Sequence, residues 1–241
     1  FLRSHQFGDE LYLFMLKPNK KIQNRIGEEL RKNDHPILLG VTGGVASGKT
    51  IVARMIEDLG APTIDFDLLS RVVVEPNKPA WKEILSYFGK QVLLADKTLD
   101  RGKLSQIIFR EPAKRKKLES FTHPRIFDEF TRQVKEVAAK DPPAIIQVVV
   151  PLLFEAQMQH FFHKILLVYI PQVMQAERLI KRDRVSEEMA ANILKAQWPI
   201  DGKKAYADFV IDNSGTLKET KRQVREVWRK LKRMQKERRE A

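Results

Sequence analysis

Ile37-Leu38-Leu39-Gly40-Val41-Thr42-Gly43-Gly44-Val45-Ala46-Ser47-Gly48-Lys49-Thr50-Ile51-Val52-Ala53-Arg54-Met55-Ile56-Glu57-Asp58-Leu59-Gly60 decides the fold. The first six residues are an apolar run suited to a buried strand. Residues 51–59 carry apolar side chains at helical spacing, and Gly60 can end that helix. Between them, residues 43–50 fit the phosphate-loop pattern G-x-x-x-x-G-K-[S/T] without a mismatch. Strand, glycine-rich turn and helix start are what the chemistry requires. Glycines let main-chain N–H groups close around phosphate oxygens, and the helix N-terminus adds the positive end of its dipole. Lys49 can reach the β- and γ-phosphates of a nucleotide, and the Thr50 hydroxyl can ligate Mg²⁺. The loop does not say which acceptor receives a phosphoryl group, or whether one does.

Outward from the loop, strands alternate with helices, which predicts a parallel sheet with helices on both faces. Short strands are expected at residues 62–64 and 209–211, and longer ones at 144–150 and 164–170. With residues 37–42 they make a five-stranded parallel sheet in a three-layer α/β fold of the P-loop NTPase type. Pro79 can open a helix that Gly89 stops, Pro112 another through Phe121, and a longer helix is expected over residues 125–139. Residues 66–140 show helical patterns and no convincing strand, and in a phosphoryl-transfer enzyme such an insertion is a natural place to hold the acceptor. Residues 172–198 read as two helical stretches with Arg178, Arg182 and Arg184, which suits a lid over the nucleotide. Residues 1–36 read as an appended segment, residues 37–215 as the kinase domain, and residues 216–241 as a basic helix.

Composition narrows the classes. The chain has 241 residues, 43% of them apolar, and no uninterrupted apolar stretch of about 18 residues that would span a membrane. Phe1-Leu2-Arg3-Ser4 does not read as the start of a signal peptide. Cysteine is absent, which removes disulfides, thiolate metal sites and a cysteine nucleophile, and a cytoplasmic location is expected. Five scattered histidines give no metal-site spacing. The net charge is +13, and residues 216–241 hold eleven Lys or Arg against four Glu, a net of +7. Leu217, Val224, Trp228, Leu231 and Met234 recur there at helical spacing, so a docked helix with a solvated basic face is the expectation. A nucleic-acid partner is not expected, since no RNA-binding aromatic signature accompanies the charge. A monomer or weak homo-oligomer is expected.

Several side chains fall where chemistry happens in such folds. Asp65 and Asp67 sit at the carboxyl end of a strand, the edge at which open α/β sheets bind ligands. A carboxylate there can take a hydroxyl proton or hold Mg²⁺, or it can cap the next helix. Arg178 and Arg182 share a helix face suited to phosphates, or to ion pairs with Glu177 and Asp183. Glu155 follows the strand end at Pro151 and is either a site carboxylate or an exposed loop residue.

Taken together, the motifs resemble the dephospho-CoA kinase family over about residues 37–225. They are residues 42–50, Ile64-Asp65-Phe66-Asp67 with Arg71, Val74-Glu75-Pro76, Phe88-Gly89, Leu99-Asp100-Arg101, His123-Pro124-Arg125-Ile126, Pro151-Leu152-Leu153-Phe154-Glu155 and Ala207-Asp208-Phe209-Val210-Ile211-Asp212-Asn213. The resemblance implies ATP-dependent transfer to the ribose 3′-hydroxyl of dephospho-CoA, with Mg²⁺. It implies Asp67 as general base and metal-site residue. Lys49 and Thr50 serve the phosphates and the metal, Arg178 and Arg182 the lid, and Asn213 the neighbourhood of the adenine. Asp65, Arg71, His123 and the turn of Leu152, Leu153, Phe154 and Glu155 fall to the acceptor. Ile51, Asn77 and Val149 depart from residues common in the family, and Val149 replaces an acidic position. Two other readings stay open: another small P-loop kinase for a nucleoside or sugar, and a basic nucleic-acid-binding ATPase. A GTPase is disfavoured, because Asn77-Lys78-Pro79-Ala80 lacks the final Asp of a guanine reader.

Overall fold

Seven consecutive buried residues, Ile37–Gly43, form β1 at the centre of a five-stranded sheet. The computed structural model describes residues 27, 28, 30 and 36–240. The appended segment expected at residues 1–36 therefore lies almost wholly outside the described residues. The chain divides into two units: Lys21–Asp65 with Gln133–Ala241, and one containing Phe66–Arg132.

The first unit holds the sheet, in the order β2-β3-β1-β4-β5. The other strands are β2 (Thr63–Asp65), β3 (Ile145–Val149), β4 (Lys164–Tyr169) and β5 (Phe209–Asp212), and every pairing is parallel. All five lie where the apolar runs predict, because parallel strands covered on both faces need side chains that are apolar throughout. β1 sits at the reversal of strand order, so the loop after it opens at the switch point where such sheets bind ligands. One polar residue interrupts the apolar run of β3. Gln147 is fully buried and donates to Ala53 O at 2.8 Å and Thr63 Oγ1 at 2.7 Å, tying β3 to the neighbouring strand and helix.

Helix α1 (Lys49–Glu57) follows the loop and packs Val52, Ala53 and Ile56 into the core. The basic C-terminal helix, α9 (Leu217–Glu240), docks on the same cluster through Val224, Val227 and Leu231, with Trp228 and Met234 half-buried. Leu217, expected in the apolar stripe, is instead 62% exposed, because it opens the first turn on the solvent side. Val227 takes a place in the stripe that spacing alone did not assign.

In the second unit, α2 is Phe66–Val72, α3 is Pro79–Phe88 and α4 is Arg101–Arg110. Phe66 anchors α2, its ring 4.9 Å from that of Phe130 and 6.1 Å from that of Phe127. Residues 112–140, expected as two helices, form a single one, α5 (Pro112–Lys140), with Pro124 inside it. A proline removes one helical N–H and weakens the next bond. Here the Arg125 guanidinium donates to Phe121 O and also grips both oxygens of Glu83 at 3.0 Å. Arg125 thus supplies a side-chain donor to the carbonyl next to the Ser120 carbonyl that the ring deprives, and the helix continues.

Candidate active site

The phosphate loop runs from the end of β1 into α1. Its last glycine, Gly48, has φ +89°, a left-handed conformation, and a Cβ there would lie 2.2 Å from Asn213 Nδ2. Only glycine satisfies both conditions. Ala46 is also left-handed, with φ 56°. Lys49 Nζ donates to Gly43 O at 2.9 Å and Gly44 O at 3.1 Å, which turns the ammonium toward the loop's first residues. Ser47 Oγ is buried with no hydrogen-bond partner among the described residues, an orphaned donor inside the cradle. Thr50, in the first turn of α1, is exposed, and Ile51 is 44% exposed.

Asn213 braces this loop. Its Nδ2 donates to Ser47 O at 2.8 Å, its Oδ1 accepts from Thr220 Oγ1 at 2.8 Å, and its N–H donates to Tyr169 O at 2.8 Å. Thr220 is held in turn by a capping box. Thr216 N–H donates to Glu219 Oε2 at 2.7 Å, and Glu219 N–H donates to Thr216 Oγ1 at 3.3 Å. The Thr216 N–H and hydroxyl, both donating to Glu219 Oε2, also hold that carboxyl below its ordinary pKa. Removing the Asn213 side chain strips a partner from two buried groups. Asn213→Ala is expected to cost about 1–3 kcal/mol of stability and to weaken nucleotide binding. Urea unfolding and nucleotide titration check both, and an unchanged midpoint would show that the brace contributes nothing.

Helices α6 (Gln172–Asp183) and α7 (Glu187–Lys195) occupy the region expected as a lid. Their apolar sides meet the loop: Val45 clusters with Leu179, Ala190 and Leu194, and Ala46 packs against them. Arg178 Nη2 donates to Asn213 O at 3.1 Å. Arg182 pairs with Asp183 at 2.8 Å, as the ion-pair alternative expects. Arg184 closes α6 in a left-handed conformation.

The turn after β3 differs from expectation. Leu153 and Phe154 are fully buried and Leu152 nearly so, so their side chains are packing residues in this structure. Glu155 is not an exposed loop carboxylate. It forms an ion pair with Lys203 at 2.7 Å, with side-chain exposures of 6% and 0%, and accepts from Trp198 N–H at 2.9 Å. Lys203 follows Pro199 on α8 (Ile200–Lys203), and Phe154 stacks with Trp198 at 6.4 Å. The turn is therefore a clasp on residues 198–203.

In the second unit, Asp67 lies in the first turn of α2, not at its cap, and its carbonyl accepts from Ser70 Oγ at 2.9 Å. Arg71 is exposed at the other end of that helix. Arg101 joins them. Asp100 caps α4 by accepting from Lys103 N–H at 2.9 Å, and Arg101 Nη2 donates to Ser70 O at 3.3 Å. Burial and the like charge of Arg71 lower its pKa to about 10, against the pull of Asp67, so it stays a cation at neutral pH. In the sequence Arg101 stands out only as the last residue of Leu99-Asp100-Arg101. Its one signal was the cap residue before it. His123 is buried within α5. Arg71, Arg101 and Asp67 thus come together on and beside α2.

A family model for dephospho-CoA kinase matches residues 37–219. Among curated relatives, the dephospho-CoA kinase of Geobacter metallireducens is 43% identical over 193 residues, 80% of this chain and 96% of that protein. The chain belongs to the dephospho-CoA kinase family. The dephospho-CoA kinase of Oryza sativa is 40% identical over 194 residues, 80% of this chain and 84% of that one. The solved dephospho-CoA kinase of Campylobacter jejuni superposes with a TM-score of 0.61 at 27% identity, over 80% of this chain and 96% of its own. A Thermus thermophilus protein of known structure gives 0.68 at 29% identity, over 82% and 98%. The family match ends at Glu219, so it takes in the capping box of α9 and leaves the remaining turns outside.

Proposed function

We infer that this chain is an ATP-dependent kinase that transfers the γ-phosphoryl group of ATP to the ribose 3′-hydroxyl of dephospho-CoA. CoA and ADP are the products, and the reaction is the last step of coenzyme A synthesis. The observation that carries the reading is the braced phosphate loop, with Lys49 turned onto its first carbonyls, in a chain of this family. The loop amides and the orphaned Ser47 hydroxyl suit phosphate oxygens. Mg²⁺ fits the exposed Thr50 hydroxyl, and it would neutralise phosphate charge there with water and phosphate oxygens as its other ligands. Among the described residues no three His, Cys, Asp or Glu gather into a separate metal cluster.

The step is an in-line displacement. The acceptor oxygen forms a bond to phosphorus, its proton passes to the Asp67 carboxylate, and the bond to the β-phosphate oxygen breaks to release ADP. Lys49 counters charge on the β- and γ-phosphates. Arg178 and Arg182 stabilise charge on the transferring group and help exclude water. Arg71 and His123 serve the acceptor, and Arg101 joins Arg71 as a second cation there.

ATP consumption with and without dephospho-CoA, with the product's mass determined, tests the reading. A gain of one phosphoryl group on dephospho-CoA supports it. Transfer only to a nucleoside or sugar would move the chain to that alternative. Lys49→Ala is expected to lower kcat about 10²- to 10³-fold, the loss typical of one preorganised donor to developing charge. The fold should stand, since the loop keeps its glycines and its Asn213 brace. An unchanged melting temperature with lost turnover checks this.

A further inference from the structure

Gln197 lies beyond α7 and touches the phosphate loop from the side of α6 and α7. Its Oε1 accepts from the Val45 N–H at 3.1 Å. An N–H can be satisfied only by the oxygen of a carboxamide, so this bond also fixes which end of the side chain carries the NH₂ group. Two features hold Gln197 in place. The next residue, Trp198, donates its N–H to the buried Glu155 at 2.9 Å, and Glu155 is itself pinned by Lys203. The Val45 side chain is clustered with Leu179, Ala190 and Leu194 of α6 and α7. Val45 is also next to Gly44, whose carbonyl receives Lys49 Nζ. The Gly44 carbonyl and the Val45 N–H are the two ends of one trans peptide, so the lysine and the carboxamide hold that peptide from opposite edges.

We propose that Gln197 is a positioning residue for the terminal phosphate of the nucleotide. Its Oε1 keeps the Val45 amide oriented, and its Nε2 donates a hydrogen bond to a γ-phosphate oxygen from the edge of the loop opposite Lys49. This deepens the kinase reading and rests on it. The group makes ATP, and not ADP, the ligand that completes the contact, so Gln197 contributes to telling substrate nucleotide from product nucleotide.

The test uses the full chain and direct titration with ATP and with ADP, each with Mg²⁺, so no acceptor is involved. Gln197→Glu keeps an oxygen for the Val45 amide, loses the donor and adds a negative charge. Gln197→Leu loses both polar ends without adding charge, and it guards against a new pair between a carboxylate and Lys49. Both variants are expected to weaken ATP by about tenfold to a hundredfold, the worth of a hydrogen bond to a charged group. ADP affinity and melting temperature should be nearly unchanged in Gln197→Glu. An unchanged ratio of ATP to ADP affinity in both variants would overturn the proposal and leave Gln197 as a brace for the loop. Wild-type turnover on dephospho-CoA is the separate check on the kinase reading. Its failure with a normal ATP preference would sink the acceptor and leave Gln197 standing.

Discussion

In Asp67→Asn, phosphoryl transfer is expected to fall about 10²- to 10⁴-fold, the range a positioned general base contributes. Asparagine has the same shape, so the packing of α2 should survive. The main-chain carbonyl that receives the Ser70 hydroxyl is untouched. ATP binding should persist too, because the phosphate loop of residues 43–50 is unaltered. The loss should therefore appear in kcat, with little change in nucleotide affinity. Single-turnover measurements with ATP and dephospho-CoA separate the two. Near-normal turnover in a folded Asp67→Asn protein would remove Asp67 from the base role. The cations Arg71 and Arg101 beside it would then be the groups to vary next.

The second large effect is on stability. Lys203→Met leaves the Glu155 carboxylate buried with its cation gone, and breaking a buried pair in this way costs about 3–5 kcal/mol. Glu155 Oε2 already has no hydrogen-bond partner among the described residues, so little remains to compensate. The loss should appear as a lowered urea midpoint. A double variant, Lys203→Met with Glu155→Leu, should recover much of it, since two apolar side chains of similar size remove both desolvated charges. If Lys203→Met cost less than about 1 kcal/mol, the range of an exposed pair, the clasp would be ornamental and residues 198–203 would need another anchor.

The three central strands were legible because each is a largely apolar run, and a parallel strand covered on both faces leaves that mark in the chain itself, while the edge strands β2 and β5 are short and partly exposed. The loop was legible because its chemistry needs glycines, a lysine and a hydroxyl at fixed spacing. Other features depend on partners far away in sequence. Nothing near Glu155 tells that a lysine 48 positions on will be buried against it. Gln197 carries no motif, and its role shows only when Val45 is placed beside it. Pro124 argued for a helix break, and the rescue came from Arg125, which turns back to Phe121 while holding Glu83. The two arginines of α6, alike in the sequence, have different partners. Arg178 holds the Asn213 carbonyl, while Arg182 takes the neighbouring aspartate.

Composition draws a border near residue 215, where the basic tail begins. Hydrogen bonding does not respect it, for Thr216 and Glu219 fix the turn that carries Thr220, Thr220 holds Asn213, and Asn213 holds Ser47. A helix of 24 residues is about 36 Å long. The tail is thus anchored, in its first turn, two hydrogen bonds from the phosphate loop. Cutting the chain at the border that composition draws would therefore remove a support of the loop along with the tail.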